Sequence, residues 1–164
     1  MRRDNSPATR DTFDWNEKTF FARVKDLDVP GILDGVRAVV DWARSLGCEV
    51  AWSKGPRIGQ ALVKSNGQTL LALDTDGHMW ISFKQIGALH PFKDLAERQA
   101  IVDSLASFGA IDAEQASANS QPLVRAQLIA DAKLRSFVLG VMTVVVKRIE
   151  VAAESTEQER PVDF

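Results

Sequence analysis

The chain reads as an α+β protein, a single domain with a four-stranded antiparallel meander, helices packed on one face and a long C-terminal helix. Three observations predict this. Apolar residues recur at helical spacing up to Leu46 and again beyond Lys93. Between those stretches they alternate, as in half-buried strands. The alternating runs are joined by short turns such as Asn66-Gly67, whereas parallel strands need crossovers of about a dozen residues or more.

Each element has its own signal. Asp14 or Asn16 can cap a first helix, in which Phe20, Phe21, Val24 and Leu27 share a face. Pro30-Gly31 breaks it. A second helix carries Ile32, Leu33, Val36, Val39, Val40, Ala43 and Leu46, and Gly47 stands where a left-handed C-cap belongs. Strands are expected at 49–53, 60–64, 69–73 and 78–83. Asn66-Gly67 marks a two-residue hairpin, and Thr75-Asp76-Gly77 turns the chain into the fourth strand. A third helix is expected at 93–108, with Leu95, Ile101, Val102, Leu105 and Phe108 buried and Gly109 ending it. Residues 123–128 suit a short edge strand. Asp131 caps a last helix that runs to about Ala152, with Leu134, Phe137, Val138, Val141, Val145 and Ile149 as its stripe. Residues 1–13 read as a disordered leader, 14–150 as the domain, and 151–164 as an acidic flexible tail.

Composition narrows the chemistry. The 164 residues are 45% hydrophobic and 26% charged, as in ordinary globular proteins. The longest apolar-looking run, 137–146, is far short of the ~20 residues that span a bilayer, so no membrane partner is expected. Cys48 is the one cysteine and reads as a small buried hydrophobe. With no secretory signal visible, a cytoplasmic location is the default. His78 and His90 lack the spacing of a zinc site. Asp74-Thr75-Asp76-Gly77 has its glycine two positions too early for a calcium loop. Walker, nucleophile-elbow and dinucleotide fingerprints are absent. No cofactor, no metal and no catalytic residue are expected.

The most informative feature is the fourth strand. Met79, Ile81 and Phe83 point to the helix-covered core, which leaves His78, Trp80, Ser82 and Lys84 for the open face. The net charge is −2, yet the segment from Arg44 to Lys93 carries six basic residues against three acids. An aromatic among basic groups suits nucleic acid, because stacking contributes about 1–3 kcal/mol per base and Lys and Arg attract phosphate. The ligand-binding set is therefore Trp80, Lys84, His78, Lys54 and Arg57. The plain alternative is that the tail or a helix covers Trp80 and that the lysines are ordinary solvated charges. Trp52 shares a side with Val50 and belongs to the core. The loop Lys54-Gly55-Pro56-Arg57-Ile58-Gly59 has the glycines and charge of an anion cradle. However, Pro56 lacks an N–H and no helix N-terminus follows.

The run Val50–Gly59, the apolar strand with Gly77 and the following strand to Phe83, then Pro91-Phe92, Arg98 and the terminal helix form an ordered set. That order resembles a loosely defined group of uncharacterised bacterial proteins and domains. The resemblance spans about residues 15–150. It implies an accessory domain, in some members beside nuclease or defence-type modules, and it carries over no catalytic residue. Gln60 departs from the small residue expected after the loop glycine. A metal-dependent nuclease would need an acid on one strand and an acid-x-Lys on the next. Here Ser82 replaces the second carboxylate, and Asp74 and Lys84 would stand roughly 20 Å apart.

The expected function is thus a non-enzymatic binding module that contacts nucleic acid through an aromatic and basic sheet face. A self-associating interaction domain that buries Trp80 or the Val141–Ile149 stripe is the alternative, as homodimer or with a protein partner. An enzyme with an unrecognised site is the third reading.

Overall fold

The computed structural model describes residues 14–55, 57–112, 114 and 117–159. The expected leader, Pro56 and the end of the expected tail lie outside them. The described residues form helices α1 (Glu17–Lys25), α2 (Ile32–Ser45), α3 (Phe83–Ile86), α4 (Leu95–Ser107), α5 (Ala126–Ala130) and α6 (Ala132–Gln158). The strands are β1 (Glu49–Trp52), β2 (Gln60–Ser65), β3 (Gln68–Asp74), β4 (Met79–Ile81) and β5 (Leu123–Val124). The α+β class holds, with an all-antiparallel sheet in the order β1-β2-β3-β4-β5. It has five strands rather than four, because Met79 and Trp80 pair with Val124 and Leu123. No helix is long and apolar enough, among the described residues, to cross a membrane.

Local chemistry explains most boundaries. Asn16 caps α1 reciprocally with Thr19: each accepts the other's backbone N–H at 3.0 Å. Asp14 instead forms an isolated antiparallel backbone β-bridge with Lys54. At the end of α2, Gly47 takes φ 76°, and the N–H groups of Gly47 and Cys48 bond Arg44 and Ala43 carbonyls. Asn66 and Gly67 both have positive φ, as a two-residue hairpin requires. Asp131 accepts the N–H groups of Lys133 and Leu134 and so starts α6.

One sheet face packs against the helices. Val50, Trp52, Ala61, Val63, Leu71, Leu73, Met79, Ile81 and Val124 lie on it by register. They meet Val36, Val39, Val40 and Ala43 of α2 and Val138, Met142, Val145 and Ile149 of α6 in one core. Phe20, Phe83 and Phe92 are fully buried, each contributing about 1.5–3 kcal/mol.

Four details differ from expectation. The fourth strand stops at Ile81, and Phe83–Ile86 coils into a helical turn. A bulge between Val63 and Lys64 leaves Leu70 as an extra residue in β3. The Thr69 N–H is taken at 2.8 Å by the Gln85 side chain, so a continuing strand has no partner there. In α4, Leu95 and Phe108 are 55% and 42% exposed, while Arg98 is buried. Phe108 stacks on Phe137 at 3.7 Å. The expected edge strand is two residues long and turns into α5. Finally, α6 continues to Gln158, so residues 151–158 are helical where the charge pattern suggests a tail.

Two glycines give opposite predictions. A Cβ on Gly35 would lie 2.3 Å from the Ile129 carbonyl oxygen, where α2 meets α5, and backbone cannot give way. A Cβ on Gly140 of α6 would meet nothing within 4 Å. In urea unfolding, Gly35→Ala should therefore lose about 1–3 kcal/mol by overpacking, and Gly140→Ala should gain about 0.5–1 kcal/mol.

Candidate binding face

The second sheet face begins with Asp74, at the end of β3. Asp74 is buried, 5% exposed, while Asp76 in the same turn is exposed. One carboxylate oxygen accepts the Asp76 and His78 N–H groups at 2.9 and 3.2 Å. The other accepts the Trp80 indole N–H at 3.0 Å. A buried carboxylate needs such donors, and three are supplied by the chain immediately after it. The result is a closed turn, with Gly77 at φ 83° and its N–H on the Asp74 carbonyl.

Trp80 lies on this face, opposite Ala72 in β3 and Leu123 in β5. It is half-buried, and its bond to Asp74 fixes the ring. No helix covers it completely: it lines a hollow of about 390 Å³ with Gln60, Leu62, Thr69, Ala72, Ser82, Gln85 and Gln121. Leu62 and Ala72 make an apolar floor. Around it stand three amides and two hydroxyls, all uncharged. Gln121 bonds the Ser82 hydroxyl at 3.5 Å, a long contact, and Gln85 is held by Thr69.

The other expected ligand-binding residues are divided by the sheet. His78 is half-buried beside Trp80, and its Nδ1 accepts the Ala126 N–H at 3.0 Å. It thereby links the β3–β4 turn to the start of α5. Lys54 and Arg57 are exposed on the β1–β2 loop, at the same end of the sheet as Asp74. That loop is tied to the turn by paired bonds between Gly59 and Thr75. Lys84 is exposed in α3, past the far end of β4, with Lys64 also toward that end. Strands of this length put the two basic groups about 20 Å apart. Trp80 sits between them, so the positive segment does not form one patch.

The loop 54–59 is organised by Trp15. The indole N–H donates to the Gly55 carbonyl at 3.0 Å, and a Cβ on Gly59 would meet the ring at 2.4 Å. Gly59 therefore serves close approach of an aromatic ring, whereas Gly55 has open space around it and takes a positive φ of 132°. Trp52 belongs to the helix-covered side, with its ring 5.3 Å from Phe20. Cys48 is buried, and burial raises its thiol pKa, which disfavours the reactive thiolate.

Sequence reasoning missed Gln60, Gln85 and Gln121. Scattered glutamines carry no motif. The one available signal was alternation, which places Gln60 on the side of Leu62. No family model, curated protein or solved structure matches the chain.

The Asp74–Trp80 bond is testable by a double-mutant cycle. Asp74→Asn keeps an oxygen acceptor for the turn N–H groups but turns its NH2, a donor, toward the indole N–H. It should cost about 1.5–3 kcal/mol in urea unfolding. The cost should be smaller in a Trp80→Phe background, where the indole donor is gone.

Proposed function

We propose that the chain is a non-enzymatic binding module for single-stranded nucleic acid, using the open sheet face. Bases stack at Trp80 and pair their edges with the surrounding amides, while the backbone reaches Lys54 and Arg57 at one end and Lys84 at the other. The observation that carries this reading is Trp80 in an open hollow whose polar lining is entirely uncharged. Neutral donors and acceptors suit base edges, which carry no charge, and flanking cations suit phosphates. His78 acts here as a positioning residue, since its Nδ1 is already engaged.

The test is fluorescence anisotropy of a labelled single-stranded oligonucleotide across a salt series. Affinity should fall as salt rises. Lys54→Ala, Arg57→Ala and Lys84→Ala should each lower the salt slope by about one if each meets one phosphate. Trp80→Ala should weaken binding by about 1–3 kcal/mol, with circular dichroism confirming the fold. Absence of binding at low salt, or binding indifferent to all three charges, would overturn the reading.

A further inference from the structure

We propose that α6 carries a second interaction surface, on which two copies of this chain pair with their α6 helices antiparallel. The surface is separate from the hollow at Trp80 and does not depend on its function. The Val145 and Ile149 side of α6 is spent in the monomer core. Another side is not. Val144 and Val151 are 51% and 63% exposed. With Lys147 and Glu154, also exposed, they follow the alternating three- and four-residue spacing of a helix-pairing seam. Val144, Lys147, Arg148, Val151 and Ala152 line a shallow groove of about 430 Å³, rimmed by Pro91.

Charge identifies the occupant. Between residues 132 and 148 the helix holds Lys133, Arg135, Lys147 and Arg148 and no acid. From 149 to 158 it holds Glu150, Glu154 and Glu157 and no base. This order opposes the helix's own dipole, which favours acids at the N-terminus and bases at the C-terminus. At the end turns, where the dipole acts, Lys133, Arg135 and Glu157 therefore gain nothing from it, and the interior Lys147 and Glu154 are indifferent to it. Among the described residues, Lys147 and Glu154 form no ion pair, whereas Arg148 is already held by Glu97 at 2.8 Å. An antiparallel second copy brings Glu154 of each chain to Lys147 of the other, twice by symmetry. A parallel copy would set like charge on like. Pairing would also support residues 151–158, whose side chains are exposed or half-exposed and whose few turns have little stability alone.

Sedimentation equilibrium of the full chain tests this. The wild type should dimerise reversibly, and added salt should weaken the dimer. Lys147→Glu and Glu154→Lys should each weaken it about tenfold, and the double variant should return to within about threefold of wild type. Val151→Asp should give monomer. All three positions are exposed, so unchanged circular dichroism is expected throughout. A wild type that stays monomeric, a double variant no better than the singles, or a dimer untouched by Val151→Asp would each overturn the proposal.

Discussion

A carboxylate taken out of water at the end of a sheet must find its hydrogen bonds inside the protein, and Asp74 finds three donors within the next six residues. Two backbone N–H groups close the β3–β4 turn on one oxygen, and the Trp80 indole takes the other. From that turn the order spreads. His78 reaches Ala126 and sets the start of α5, next to β5. Thr75 and Gly59 exchange bonds and hold the β1–β2 loop, which Trp15 closes from outside. A single buried charge thus aligns three connections at one end of the sheet and fixes the aromatic ring on its open face.

A second buried charge does similar work in the helical layer. Arg98 is surrounded by carbonyls rather than acids. Its guanidinium donates to Phe92 and Lys93 on one side and to Ala118 and the Asn119 side chain on the other. Arginine keeps its charge when buried and offers five donors in a fixed fork, which suits it to clamping irregular backbone. The segment it holds leads directly to Gln121 and to β5. Both buried charges therefore serve the same outcome, a sheet with one face packed and the other hollowed beside Trp80.

Charge on the outside follows a different logic. The basic residues counted along 44–93 are distributed to both ends of the sheet, because antiparallel turns send successive loops to opposite ends. The charged order of α6 survives folding intact, since a helix preserves sequence order along its axis. The first pattern leaves an uncharged lining at the hollow, with Lys54 and Arg57 toward one end of the sheet and Lys84 toward the other. The second leaves a bipolar helix with an exposed apolar seam.

Much of this was legible in the chain. Asn66-Gly67, Gly47, Asp131 and the switch between helical and alternating spacing are local signals, and each stands where a local rule puts it. They determined the α+β class, the antiparallel sheet, the core direction of Met79 and Ile81 and the placing of Trp80 on the open side. Tertiary structure decided the rest. Phe83 coils because a bulge in β3 gives the Thr69 N–H to Gln85. Two residues become β5 because the edge of β4 is there to pair with them. Arg98 is buried in place of Leu95 because the Ala118 carbonyl and the Asn119 side chain, some twenty residues on, meet it together with the nearby Phe92 and Lys93 carbonyls, and Lys84 parts from Lys54 because the sheet lies between them. Turns and caps are satisfied by neighbours within a few residues, so sequence carries them. A bulge, an edge pairing, a buried guanidinium and the division of a charge cluster need partners far along the chain, which exist only once it has folded.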